Sequence, residues 1–383
     1  MQQKNTFLWS DGSFFYNTLT KEKSKKPLPI ISCNKKSVDS KLFSDPSTLQ
    51  LTLIPTWSCN LRCPHCFVIK KLNKNFNSED TQIENLKSFI IWHQKKYNHK
   101  KLNAVVIGGE PLLYPDICLD YIKLIKSFDS SCSMTTNLSL PINEKSLKIF
   151  ELLDQSQISI DGPEEVHNDT RFVYLNTSNP TPSDCNLFEQ IIKNLKILKT
   201  HGFHKKLHIA ISIRKDLEKT RSLSELKMIL KALEIENVTV GYIAESSYFN
   251  KTKEKKFISM REMAKPCCSY RYMRHFVIQS NKIYGNYFDK SESSFLGDLT
   301  NNFEELPEKY KRYIEQNMPI LKDETCLNCS ALPICWGQCV GHGLFDDLTP
   351  SQLCNQKEMI EKMNDLLCKK EHLETFDLNE KNT

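Results

Sequence analysis

Short apolar runs rich in β-branched residues recur through the middle of this chain, and between them the apolar positions shift to helical spacing. The runs at 51–55, 104–107, 131–135, 157–160, 207–213 and 238–242 read as strands. Between them, Ile83, Leu86 and Ile90 follow the cap cluster Asn77-Ser78-Glu79-Asp80. Ile117, Tyr121, Leu124 and Phe128 follow Pro115-Asp116, a helix opening that needs no amide hydrogen from the proline. Leu187, Ile191, Leu195 and Leu198 form a third apolar stripe that ends at Gly202. Strands alternating with helices predict an α/β fold with a parallel sheet, because each helix carries the chain back to start the next strand in the same direction. Six such units make a partial (βα)6 TIM-like barrel, open rather than closed. Its reactive groups are expected at the carboxyl ends of the strands.

The flanks read differently. Phe7-Leu8-Trp9-Ser10 and Phe14-Phe15-Tyr16 bracket Asp11-Gly12, a strong hairpin signal. Residues 18–49 are rich in Lys, Ser and Pro and read as a linker. The expected organisation is a hairpin and linker over 1–49, a barrel over 50–246, and a linker over 247–266. A small cysteine-rich domain over 267–355 and a helix and tail over 356–383 complete it. A second hairpin is expected inside the cysteine-rich part, with Val277-Ile278-Gln279-Ser280 turning at Asn281-Lys282 into Ile283-Tyr284. The first hairpin either packs on the barrel or offers its edge to an extended peptide.

Charge narrows the choice of partners. The 52 Lys and Arg against 46 Asp and Glu give +6 over 383 residues, spread along the chain as solvated helix faces. No patch reads as a nucleic-acid groove. No run approaches the roughly 18 apolar residues of a membrane span, and residues 1–5 lead into no signal-like segment. A cytoplasmic enzyme is the expectation.

The 15 cysteines change the picture most, because they cluster. Cys59, Cys63 and Cys66 stand as C-x3-C-x2-C just past the first strand. Cys267 and Cys268 are adjacent. Cys326, Cys329, Cys335 and Cys339 crowd together, with Cys354 soon after. Such grouping favours metal ligation in a reducing compartment over a disulfide scaffold. Cys33, Cys118, Cys132, Cys185 and Cys368 stand alone as ordinary thiols. Thiolates are the usual ligands of iron–sulfur clusters, and three of them leave one iron of a cubane for a ligand that is not protein. For the triplet, a set of buried core thiols is the bland alternative, and a zinc ribbon would pair two C-x2-C knuckles. For the later group both iron–sulfur and zinc remain open.

Other chemistry-bearing residues fall at strand ends. Gly108-Gly109-Glu110-Pro111 follows the second strand. Its glycines permit close backbone approach to a ligand, and Glu110 can accept a hydrogen bond from an ammonium group. Thr135-Thr136-Asn137 ends the third strand. Ser159-Ile160-Asp161-Gly162-Pro163 ends the fourth, with His167 and Arg171 beyond it. Asp161 serves the site or steadies the Gly162 turn.

With these motifs in their order, residues from about 50 to 355 resemble the radical S-adenosylmethionine (radical SAM) family, in the form with a C-terminal SPASM domain found in peptide maturases. The resemblance implies a 4Fe–4S cluster on Cys59, Cys63 and Cys66 whose remaining iron holds S-adenosylmethionine. It places Gly108, Gly109 and Glu110 at the methionyl amino group and Asn137 on the ribose side. Ser159 and Arg171 would contact the same cofactor, Arg171 through its carboxylate. Cys326, Cys329, Cys335 and Cys354 would hold an auxiliary 4Fe–4S cluster, with Cys339 and Cys268 (or Cys267) turned towards another. The sequence departs from the family where Asn281 replaces a Gly and Asn286 replaces a Cys ligand. Tyr287 stands where a sulfatase-maturing enzyme would carry Asp, while 296–299 fits. The implied function is modification of a side chain in a small ribosomally made precursor peptide, with electrons from a flavodoxin or ferredoxin. Open alternatives are a protein- or small-molecule-modifying enzyme of sulfatase-maturase type and a non-catalytic iron–sulfur relative that binds a peptide.

Overall fold

The computed structural model describes residues 46–63, 65–66, 82–171, 186–213, 223–242, 272–287, 294–299, 302–318 and 324, and three short N-terminal strands. The chain divides into two compact units. One comprises Pro46–Thr252 and Met273–Pro307, the other Met1–Asp45, Lys253–Tyr272 and Glu308–Thr383.

Nine strands build the sheet of the larger unit: β1 Thr48–Ile54, β2 Lys101–Val106, β3 Ser131–Thr136, β4 Gln155–Ile160, β5 Leu207–Ile213, β6 Val238–Tyr242, β7 His275–Gln279, β8 Lys282–Tyr284 and β9 Phe295–Asp298. Their order is β9-β8-β7-β1-β2-β3-β4-β5-β6, and every pair from β7 to β6 is parallel. The six expected strands therefore lie side by side in chain order, an open partial barrel. Helices α1 Ile83–Tyr97, α2 Pro115–Lys126, α3 Glu144–Leu152, α4 Glu164–Thr170, α5 Leu187–Thr200 and α6 Ser224–Ala232 fall between the strands in sequence.

Period-two alternation decides which face each strand buries. Leu102, Ala104 and Val106 of β2, Cys132 and Met134 of β3, and Ile158 and Ile160 of β4 are all buried. The helices bring matching stripes, such as Tyr121, Ile122 and Ile125 of α2 and Ile191, Leu195 and Leu198 of α5. Each such side chain contributes about 1.5–3 kcal/mol when buried. The intervening positions Ser133, Thr135, Gln157 and Ser159 point the other way and stay partly exposed. A closed barrel would fill that side with aliphatic layers; this open sheet carries small polar groups there.

Local signals account for several boundaries. Pro115 opens α2, Asn143 caps α3 by accepting the Ser146 N–H at 2.9 Å, and Gly202 takes φ of +76° just past α5. Helix α1 starts after Gln82, which makes no side-chain cap, and the expected cap residues 77–80 lie outside the described residues.

Two elements lie across the expected domain limits. The hairpin assigned to the cysteine-rich part is β7–β8, and it extends the barrel sheet, because β7 pairs in parallel with β1 in the register His275↔Gln50 to Gln279↔Ile54. Residues 275–278 of β7 are buried, and the Thr52 hydroxyl lies 2.8 Å from His275 Nε2. Strand β1 begins at Thr48, inside the expected linker.

In the smaller unit, Thr6–Leu8 pairs antiparallel with Phe15–Asn17 on either side of the Asp11-Gly12 signal. Lys23–Ser24 adds a third strand within the expected linker. Among the described residues no helix is long and apolar enough to cross a membrane. The linker 247–266, Cys33, Cys185, Cys267, Cys268, Cys326, Cys329, Cys335, Cys339, Cys354, Cys368 and the expected terminal helix lie outside the described residues.

Candidate active site

The cysteine loop leaves β1 through Thr56 and Trp57, both buried. Leu61 plugs it into the unit together with Cys63 and Leu187, and Cys59 and Cys66 pack on that cluster. Backbone bonds coil the loop. The Cys66 N–H donates to the Cys63 carbonyl at 3.0 Å, and the Arg62 guanidinium donates to the carbonyls of Cys59 and Leu61 at 2.8 and 2.7 Å. The Leu61 N–H reaches the Cys59 sulfur at 3.4 Å.

Burial, aided by the charge of Glu110, pushes the Cys59 thiol up to about 12. Burial takes Cys63 to about 11, against the opposing charge of Arg171. By themselves these thiols are protonated at neutral pH, and only a bound cation would draw thiolates from them. Among the described residues no three His, Cys, Asp or Glu side chains form a ready-made metal cage. What the loop supplies is three neighbouring soft donors, a set that suits iron–sulfur chemistry better than a hard cation.

The Gly-Gly turn after β2 zips onto this loop. Ile107, Gly109 and Glu110 donate their N–H groups to the carbonyls of Leu53, Thr56 and Ser58 at 3.0, 2.9 and 2.8 Å. A Cβ on Gly108 would strike the Thr56 carbonyl oxygen, and one on Gly109 the Ser58 carbonyl oxygen. The glycines were expected to admit a ligand. The backbone they admit is this chain's own, the stem of the cysteine loop.

Glu110 is buried at the same junction. Its Oε1 accepts the Thr136 hydroxyl at 2.6 Å and the Leu112 N–H at 3.1 Å, and its Oε2 accepts the Asn137 N–H at 2.8 Å. Burial raises its carboxyl above the ordinary range, and those three hydrogen bonds pull the other way. Asn137 completes the seam. Its amide donates to Asn60 Oδ1 at 3.1 Å and lies 3.9 Å from the Cys59 sulfur, while Asn60 donates to the Ser139 hydroxyl at 2.8 Å. The ends of β2 and β3 are thus sewn to the loop that carries Cys59.

Beyond β4, Asp161 is fully buried. Arg171 grips it through two bonds, Nη2 to Oδ1 at 2.7 Å and Nε to Oδ2 at 2.9 Å, and the Thr170 hydroxyl adds a third at 2.8 Å. His65, between two of the cysteines, places Nε2 3.4 Å from the same Oδ2. Burial alone would raise the Asp161 carboxyl; Arg171, then His65, hold it below the usual range. Both residues that were expected at the site meet each other here. The Arg171 Nε and Nη2 are engaged by Asp161, and the Asp161 carboxylate also takes the Thr170 hydroxyl. Ser159 stands half-buried on the polar face of β4. His167 accepts the Asp161 N–H at Nδ1, 3.2 Å away.

Tyr287 is buried against Trp57, their ring centroids 5.6 Å apart, and Cys66 packs on the same cluster. Asn286 beside it is buried too. Sequence reasoning missed His65 and Thr136 as site members. For His65 the available signal was its place between Cys63 and Cys66.

Residues 53–216 match the family model of the Radical SAM superfamily. Two curated relatives are S-adenosylmethionine-dependent nucleotide dehydratases. The one from Fibrobacter sp. (strain UWH6) is 30% identical over 119 residues, covering 29% of this chain and 34% of the relative. The one from Thermoplasmatales archaeon (strain ISO4-H5) is 33% identical over 108 residues, covering 28% and 36%. The chain therefore spans about a third of the length of either. Among solved structures, anSMEcpe with bound AdoMet superposes with a TM-score of 0.53 at 17% identity, over 76% of this chain and 89% of that one. Streptococcus suis SuiB bound to precursor peptide SuiA gives 0.53 at 16%, over 92% and 99%. At such identity the likeness is one of fold.

Proposed function

Starting from a radical SAM domain over residues 53–216, we propose that this chain is a radical S-adenosylmethionine enzyme that modifies a side chain of a small ribosomally made peptide. The observation that carries the reading is the seam: a three-cysteine loop at the end of β1, tied by named hydrogen bonds to the ends of β2 and β3. When bound, a 4Fe–4S cluster with S-adenosylmethionine supplies one-electron cleavage of the sulfonium and hence a 5′-deoxyadenosyl radical that abstracts hydrogen.

The residues around the loop prepare the place. Cys59, Cys63 and Cys66 would be the ligands. Glu110 offers a buried carboxylate with one acceptor position on Oε2 left for an ammonium, by the roughly four that a carboxylate has. Asn137 and Ser159 border the same strand ends. Trp57 and Tyr287 exclude water from one side of Cys66. Cys326, Cys329, Cys335 and Cys354 would hold an auxiliary cluster, while Cys339 and Cys268 would face another site that Asn286, in place of a Cys ligand, leaves empty or labile. A flavodoxin or ferredoxin would deliver electrons.

The peptide reading is supported by the fold shared with SuiB, whose structure includes a precursor peptide. A second reading, dehydration of a nucleotide, is favoured by the two dehydratase relatives. Anaerobically reconstituted protein with S-adenosylmethionine and reductant separates the two. One arm adds the product of any short open reading frame beside the gene, the other nucleoside triphosphates. A mass change in the peptide with rising 5′-deoxyadenosine supports the first reading; conversion of a nucleotide with an inert peptide replaces it.

A further inference from the structure

Strands β1, β2, β3 and β4 stand side by side in that order, so two strands separate the cysteine loop's own strand from the end of β4. Successive parts of the loop are nonetheless tied to successive strand ends. The carbonyls of Thr56 and Ser58 accept the N–H groups of Gly109 and Glu110 beyond β2. Asn60 bonds to Asn137 and Ser139 beyond β3. His65 then reaches Asp161 beyond β4, its Nε2 3.4 Å from Oδ2.

The far side of that contact is rigid. Two bonds from Arg171 and one from Thr170 hold the Asp161 carboxylate, and the Asp161 N–H donates to His167 Nδ1. The Asp161 side chain has no exposed surface and that of His65 only 15%, so water screens the contact poorly. Facing a carboxylate oxygen, His65 Nε2 carries its hydrogen.

We propose that His65 is a positioning residue: through Asp161 it fixes the Cys63–Cys66 half of the loop over the end of β4, as Asn60 and Asn137 fix the Cys59 half over β3. The consequence for iron rests on the reading above that the triplet holds a cluster. There the contact keeps three sulfurs in one arrangement before and after the cluster binds.

The test gives the full-length iron-free protein a brief alkylation pulse at fixed pH, then trypsin and mass spectrometry. Cleavage after Arg62 puts Cys59 on one peptide and Cys63 with Cys66 on the next. His65→Phe keeps a ring and removes the donor. It should speed labelling of the Cys63 and Cys66 peptide by roughly three- to tenfold, the worth of one hydrogen bond, and leave Cys59 unchanged. His65→Gln, whose amide N–H replaces that of Nε2, should return close to wild type. Asp161→Asn should speed the same peptide, and His65→Phe should add little to it. Equal acceleration of both peptides, no acceleration in His65→Phe, additive effects, or His65→Gln as reactive as His65→Phe overturns the proposal. If Asp161→Asn fails to fold, the contrast of Phe with Gln decides. In reconstituted protein a ferrous-iron chelator should strip the iron that the triple Cys→Ala variant lacks in the same order of rates. Selective labelling with an unchanged stripping rate overturns the role at the cluster. Wild-type protein without iron on the triplet removes the earlier reading and leaves the labelling result standing.

Discussion

The backbone N–H of Asn137 donates to Oε2 of Glu110 at 2.8 Å, joining the ends of two neighbouring parallel strands. Glu110 therefore has a structural duty beside any role towards a cofactor. Replacing it with Ala strands three donors, the Leu112 N–H, the Thr136 hydroxyl and the Asn137 N–H. Each buried unsatisfied group costs about 1–3 kcal/mol. Glu110→Ala should lower the stability of the iron-free protein by about 3 kcal/mol or more in urea unfolding, and also weaken S-adenosylmethionine binding measured anaerobically. Glu110→Gln, which keeps two acceptor lone pairs, should recover much of the stability and little of the binding.

The Gly109 contact gives a sharper comparison. Gly109→Ala drives a methyl group into the Ser58 carbonyl and should cost the protein its iron, because the stem of the cysteine loop must move. Gly202→Ala meets nothing within 4 Å and carries only the strain of a φ of +76°. That variant should lose about 1 kcal/mol and keep its iron. Equal iron content in the two would break the link between this turn and the loop.

Changing Cys59, Cys63 and Cys66 together to Ala should abolish 5′-deoxyadenosine formation and remove one cluster's worth of iron. Iron on the later cysteines should persist. Colorimetric iron analysis and chromatography of the nucleoside decide the matter. Residual 5′-deoxyadenosine would move the chemistry elsewhere in the chain.

Two buried histidines set an acid limit. Burial lowers His93 and His167 from 6.5 to about 3. The neutral ring is thus favoured in the folded state, so their contribution is complete above about 6.5 and is lost as pH falls towards about 3. Between pH 7 and pH 5 the unfolding free energy from urea titration should fall more steeply for wild type than for His93→Gln/His167→Gln, by an amount on the order of a kcal/mol. Parallel slopes would count against this account.

Much of the barrel was legible because its signals are local. The runs at 207–213 and 238–242 match β5 and β6 end to end, and Pro115 and Gly202 mark helix limits where the backbone requires them. The sequence placed the candidate residues at neighbouring strand ends and left their wiring open. Arg171 can pair with a ligand carboxylate or with Asp161 by the same chemistry, and nothing in the order of residues chooses between them. Glycines signal close approach without saying what approaches. The parallel bond of β7 to β1 has no local mark at all, since hairpins are set by turns and crossovers are not.

That last pairing has a consequence for how the chain is made. The Thr52–His275 contact spans 223 residues. At synthesis rates of about 5–20 residues per second, roughly 11 to 45 s separate the two strands as they leave the ribosome. One border of β1, rich in Leu and Ile, waits unpaired through that interval, the exposure that favours wrong partners. The strand that launches the cysteine loop is therefore translated well before the strand that encloses its border.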